Sequence, residues 1–226
     1  MIRLIAAAVL FTAVPALAAE RGFQVGDFHG LSLAGSPDVT VTTGHAPSVH
    51  ATGSDVALDR LDIGVEGGTL KIGTKRGLDW SWKDHGRVTI VITVPMLREV
   101  AIAGSGDVTV DTVKVRDFAG TVAGSGSLHL PALDADHASF EVTGSGTIAA
   151  TGRCGSGTAK ITGSGDLKLA ALKCATLSAN VTGSGSIDAF ATQTAAVATM
   201  GSGDINITGG ARCTVSSAGS GKAKCS

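Results

Sequence analysis

From residue 104 onward, apolar and polar positions alternate with a period of two, and the alternation restarts about every twenty residues. Each restart is marked by Gly-Ser-Gly, beginning at Gly104, Gly124, Gly144, Gly163, Gly183, Gly201 and Gly219, with spacings of 20, 20, 19, 20, 18 and 18 residues. Two residues past the tripeptide stand Val108, Leu128, Ile148, Leu167, Ile187, Ile205 and Ala223. Two further on stand Val110, Leu130, Ala150, Leu169, Ala189, Ile207 and Cys225. Between them Thr109, His129, Ala149, Lys168, Asp188, Asn206 and Lys224 are mostly polar, while Ile102, Val122, Val142, Ile161 and Val181 hold an apolar position just before the tripeptide. This is the signature of strands buried on one face.

A unit of 18–20 residues cannot bury that face alone, but copies stacked about 4.8 Å apart, like residue over like, can. The pattern predicts an all-β fold, a parallel β-helix or solenoid with 18–20 residues per rung. Its corners are the glycine pairs Gly104 and Gly106, Gly124 and Gly126, Gly144 and Gly146, Gly163 and Gly165, Gly183 and Gly185, Gly201 and Gly203, and Gly219 and Gly221. Glycine suits a tight bend that needs positive φ or close backbone approach. A further Gly-Ser-Gly at Gly155 is out of phase. A helical repeat is excluded by paired glycines among β-branched residues, and a flexible Gly/Ser linker by the in-phase aliphatics.

The N-terminal third is less regular. Gly35-Ser36-Pro37-Asp38-Val39-Thr40-Val41 matches the repeat, with Pro37 replacing the second glycine. Leu61 to Val65 and Thr69 to Gly73 flank Glu66-Gly67-Gly68, a hairpin signal, and Arg87 to Val94 reads as a strand ended by Pro95. Residues 19–226 are read as one solenoid domain, with 22–103 as irregular first rungs and cap and 104–226 as regular repeats. Residues 1–18 read as a signal peptide: Arg3, an apolar stretch from Leu4 to Val14, and an Ala16-Leu17-Ala18 cleavage site. The mature chain is expected in the periplasm or outside the cell, with no transmembrane segment, since the next most apolar run, Val88 to Leu97, is too short to span a bilayer.

Composition narrows the function. Glycine is 32 of 226 residues and aromatics are 4%, as a thin aliphatic core requires. Lys+Arg (18) and Asp+Glu (19) nearly balance, which argues against nucleic acid or an anionic membrane as the main partner.

Asp38-Val39-Thr40-Val41, the hairpin Glu66-Gly67-Gly68-Thr69-Leu70-Lys71-Ile72, the strand Val88 to Leu97, and Gly104-Ser105-Gly106-Asp107-Val108 occur in that order. Together they resemble the exported bacterial domain family called the "putative autotransporter adhesin head", or GIN domain, over nearly the whole mature chain. The resemblance implies a right-handed parallel β-helix without an assigned biochemical role. No translocator barrel is expected, as the sequence stops at Cys225-Ser226, so an autotransporter mechanism is not anticipated.

Four cysteines in an exported chain suggest two disulfides among three possible pairings. Cys154 and Cys174 each lie nine residues before the next in-phase glycine and should stack on adjacent rungs; Cys213 and Cys225 lie six residues either side of Gly219 and should staple the last rung. The rival metal reading lacks a Cys-x-x-Cys or a paired His, so no metal and no cofactor is expected.

Nothing in the sequence reads as catalytic. Seven in-phase serines point to corners rather than to nucleophiles, and Gly219-Ser220-Gly221-Lys222 lacks the glycine, the Ser/Thr and the helix of a phosphate loop. Asp38, Asp107, Asp166 and Asp204 follow corners as in calcium β-rolls, but Ser127, Thr147, Ser186 and Lys222 take the same place, so local hydrogen bonding is the better reading. His29, His45, His50, His85, His129 and His137 are scattered and read as surface residues. The candidate binding segment is the loop holding both tryptophans, Trp80 and Trp82, with Lys83, Asp84 and His85. It either caps the first rung or binds a ligand. The expected role is a non-catalytic structural or binding module of the envelope, adhesin-like, with a polysaccharide or protein partner. The alternative is a carbohydrate-binding or carbohydrate-active protein using Trp80 and Trp82.

Overall fold

A parallel stack sets every position of one rung over its counterpart, so the sequence phase must reappear as strand register. In the computed structural model, which describes residues 19–75 and 87–226, it does: Gly35, Gly104, Gly124, Gly144, Gly163, Gly183, Gly201 and Gly219 are successive in-register neighbours. In chain order the elements are β1 (Ala19–Phe23), β2 (Gly30–Gly35), β3 (Asp38–Thr43), β4 (Ser48–Gly53), α1 (Asp55–Asp59), β5 (Leu61–Glu66), β6 (Thr69–Thr74) and β7 (Thr89–Val94). They continue with β8 (Glu99–Gly104), β9 (Asp107–Val110), β10 (Val113–Gly124), β11 (Ser127–Gly144), β12 (Thr147–Gly163), β13 (Asp166–Gly183), β14 (Ser186–Gly201), β15 (Asp204–Thr208), β16 (Arg212–Gly219) and β17 (Ala223–Cys225). The seventeen strands of the described residues form one continuous sheet wound into a β-solenoid of about six turns.

Breaks in the alternation mark the bends. β11 buries Leu128, Leu130, Leu133, Ala135, Ala138, Phe140 and Val142, but exposes Pro131 with Ala132 and Asp136 with His137. Residues 127–130, 133–135 and 138–143 therefore make three sides, and Gly-Ser-Gly closes the third corner. Inside, like stacks on like: Ile72, Leu33, Ile102, Val122, Val142, Ile161, Val181 and Thr199 form one buried column. Thr199 fits because its hydroxyl donates to the Gly203 carbonyl at 3.1 Å. The core admits large rings where a neighbour gives up its side chain. Gly120 pairs with Phe140 in register, and the rings of Phe118 and Phe140 lie 6.2 Å apart, tilted by 49°.

At each corner the chain turns without breaking the inter-rung ladder. The Ser105, Ser125, Ser145, Ser164, Ser184, Ser202 and Ser220 amides each donate to the carbonyl of the glycine one rung below, at 2.8 to 3.0 Å. The first glycine of each corner takes φ between 113° and 133°. A Cβ at Gly144 would lie 2.6 Å from the Gly124 carbonyl oxygen, and one at Gly146 would lie 2.6 Å from that of Gly126.

The first rungs depart from chain order. β2 lies parallel between β6 and β8, and β3 parallel between β7 and β9. Residues 30–43 therefore form a rung wedged between β6 with β7 on one side and β8 with β9 on the other, an arrangement the repeat pattern does not reveal. The N-terminal end is closed by antiparallel strands, β5 on β6 and β4 then β1 on β7. The β5–β6 turn has Gly67 and Gly68 at φ 60° and 77°, as a type I′ hairpin requires. α1, capped by the Ser54 hydroxyl, buries Ala57 and Leu58 under this end.

Replacing Gly144 with Ala should cost about 3 kcal/mol, from positive-φ strain plus collision with the rung below. Gly64→Ala, where nothing lies within 4 Å of an added Cβ, should be within about 0.5 kcal/mol of wild type. Urea denaturation of the two variants reads the difference.

Candidate functional site

Outward residues of stacked rungs also line up, so a surface feature on a solenoid is built from the same position on several rungs. One such feature is a groove of about 800 Å³ where the second corner meets the third side. Along it Glu99, Ala119, Ser139 and Thr158 follow one another in register. Beside them runs a corner line of Asp117, His137 and Ser156. The three rung steps from Glu99 to Thr158 give the groove a length of about 14 Å. Arg98 and Arg116 add cations, and His29 stands at the N-terminal end, where its carbonyl accepts from the Arg98 amide at 2.8 Å.

The groove carries both signs of charge and several hydroxyls. Arg116 and Asp117 approach only to 3.9 Å, and His137 Nδ1 shares a 2.6 Å hydrogen bond with Ser156 Oγ. Among the described residues no carboxylate lies within ion-pair distance of Arg98. Such a surface offers donors and acceptors along a line to an extended polar ligand. Sequence reasoning left His29 and His137 as scattered surface residues; the fold sets both on one groove. The available signal was phase, since Arg116-Asp117 and Asp136-His137 are polar pairs at the same distance before Gly124 and Gly144.

Trp80, Trp82, Lys83, Asp84 and His85 lie outside the described residues, between β6 and β7 in the sequence; residues 1–18, read above as a signal peptide, lie outside them as well. Among the described residues no three His, Cys, Asp or Glu side chains converge as a metal site would require. Two of the aspartates after corners serve the backbone or pair with a cation: Asp204 accepts from the Lys222 amide at 2.8 Å, and Asp38 faces Arg87 at 3.3 Å.

Both disulfides are present. Cys154 and Cys174 are in-register neighbours on β12 and β13, with Cα atoms 4.4 Å apart, and Cys213–Cys225 ties β16 to β17 across the last rung at 6.4 Å. Elsewhere on the surface, hydrogen bonds from Arg153 hold the Asp134 carboxyl below its ordinary range; desolvation opposes them, and the charges of Arg153 and Lys114 add to the lowering. The carboxyl of Glu66 is lowered in the same way by Lys71.

In-register rungs, an antiparallel end cap and a lateral groove of mixed lining define a β-solenoid with a surface suited to binding. The chain belongs to the family described as "putative auto-transporter adhesin, head GIN domain", which matches residues 27–211. Solved structures share the fold. A "putative adhesin" from Bacteroides fragilis superposes with a TM-score of 0.87 at 20% identity, covering 93% of this chain and 98% of its own. A "putative lipid binding protein" from Parabacteroides distasonis gives 0.75 at 24% identity over 94% and 98%. A "putative adhesin" from Parabacteroides merdae gives 0.73 at 16% over 94% and 97%. No curated protein matches the sequence.

Two outcomes follow. The Cys213→Ser/Cys225→Ser double variant should lose about 3 kcal/mol of stability on the loop-entropy scale, read by chemical denaturation. In an NMR titration Asp134 should keep its charge to a lower pH than an ordinary aspartate, near 3.9. Because the folded pKa is the depressed one, the pair stabilises fully above the unfolded value and is lost as pH falls through the folded value; Arg153→Ala should bring the midpoint back up.

Proposed function

We propose that the protein is an exported, non-catalytic binding module of the cell envelope, adhesin-like, holding a glycan or protein ligand against the flank of a rigid solenoid. The observation that carries this reading is the lateral groove. Its charged and hydroxyl side chains are fixed at one rung spacing by the stack beneath them, so little order need be gained on binding. The carboxylates held below their ordinary range, Glu66 and Asp134, owe this to exposed ion pairs outside the groove. Two disulfides support an oxidising compartment, in keeping with the leader read from residues 1–18. Among the described residues no helix is long and apolar enough to cross a membrane. The fold neighbours, described as adhesins and as a lipid binding protein, fit a binding role. Trp80 and Trp82 supply a second contact surface in this reading, an aromatic pair able to stack on a sugar ring.

Glycan arrays and envelope-fraction pull-downs test it. The Arg98→Ala/Arg116→Ala/His137→Ala variant should bind at least tenfold more weakly with an unchanged circular dichroism spectrum. Trp80→Ala/Trp82→Ala should lower glycan binding less. Full binding by the groove variant removes the groove from the reading, and turnover of any polysaccharide overturns the non-catalytic assignment.

A further inference from the structure

The 19-residue spacing between Gly144 and Gly163 has a three-dimensional counterpart. At the first corner β11 uses two residues, Pro131-Ala132, and β13 uses Ala170-Ala171, whereas β12 between them uses Thr151 alone. The short corner sits back between two longer ones and leaves an open slot of about 620 Å³, lined on its apolar side by Pro131, Ala132 and Ala171. Gly152 makes the shortcut possible: it takes φ 131°, and any Cβ there would run into the Leu133 backbone.

Along the slot Lys114, Asp134, Arg153 and Lys173 stand in register on four successive rungs, about 4.8 Å apart. Arg153 grips Asp134 with two hydrogen bonds, Nε to Oδ1 at 2.9 Å and Nη2 to Oδ2 at 2.6 Å. Three cations to one carboxylate leave two positive charges unbalanced. Among the described residues no carboxylate lies within ion-pair distance of Lys114 or Lys173. The rungs behind this line are fixed covalently, because Cys154 and Cys174 follow Arg153 and Lys173 directly, face the core and are bonded to each other.

We infer that the slot binds an anionic amphiphile with a single acyl chain, its carboxylate seated between Arg153 and Lys173 and its chain laid against Pro131, Ala132 and Ala171. A neutral amphiphile leaves the unbalanced cations without a partner, and a small anion leaves the apolar wall wet. A long-chain carboxylate satisfies both. The site is separate from the lateral groove, which lies along the second corner.

Calorimetric titration of the full chain with dodecanoate, kept below its critical micelle concentration, tests this. The expected result is one saturable site, with acetate and dodecyl maltoside each at least tenfold weaker. Lys173→Glu, which reverses a cation, and Ala171→Trp, which fills the slot, should each weaken dodecanoate at least tenfold, and Lys173→Arg should restore binding. Both altered positions are exposed, so circular dichroism should be unchanged. The inference is overturned if Lys173→Glu and Ala171→Trp bind dodecanoate like wild type, or if acetate matches dodecanoate. It is also overturned if the chain binds phosphatidylglycerol vesicles but takes up no monomeric dodecanoate, which would make the cation line a membrane contact.

Discussion

The structure depends on one hydrogen-bonding demand: the ladder between rungs must continue around a sharp bend. At the Gly-Ser-Gly corner the serine amide, and in most rungs the second glycine amide as well, donates to a single glycine carbonyl one rung below. That carbonyl lies where a Cβ on the glycine above would have to go. The corner is therefore glycine for two reasons at once, positive φ and contact between backbones. Outward side chains carry no such constraint. The stack holds them at fixed intervals whatever they are, which separates what folds the protein from what it can display.

The two ends meet the problem of an unpaired sheet edge differently. At the N-terminus antiparallel strands and a short helix cover the first rung. At the C-terminus β16 and β17 pair only with the strands below them, and the closure is covalent, through Cys213–Cys225. The other disulfide lies in the column Val115, Ala135, Cys154, Cys174 and Ala191, where small residues narrow the interior and a bond between rungs takes the place of aliphatic bulk.

Much of the fold is legible in the sequence because a solenoid writes its geometry in phase. The corner glycines, the alternating strands, the Glu66-Gly67-Gly68 hairpin and both cysteine pairings follow from counting. The order of the first rungs does not, because Gly35-Ser36-Pro37 has the repeat's form but its neighbours are chosen by tertiary packing, not by adjacency in the chain. The groove was hidden for a related reason. Arg98, Arg116, His137 and Ser156 come from separate rungs, and alternation marks each only as outward. The slot was half visible, as a spacing one residue short at Thr151, but its walls at Pro131-Ala132 and Ala170-Ala171 appear only once register is known.

The wedged position of residues 30–43 bears on how the chain assembles. From β10 to β14 each rung finds its neighbour about twenty residues away, so those rungs wind by local closure. Gly30, in contrast, pairs with Thr69 on one side and Glu99 on the other, across about 39 and 69 residues of chain, and closure entropy grows with that separation. A chain that emerges from a membrane N-terminus first must hold its second rung open until both flanking rungs have arrived. The ladders of residues 30–35 are complete only when residues 69–72 and 99–104 lie on either side of them, so an early segment of the chain depends on later ones for its place.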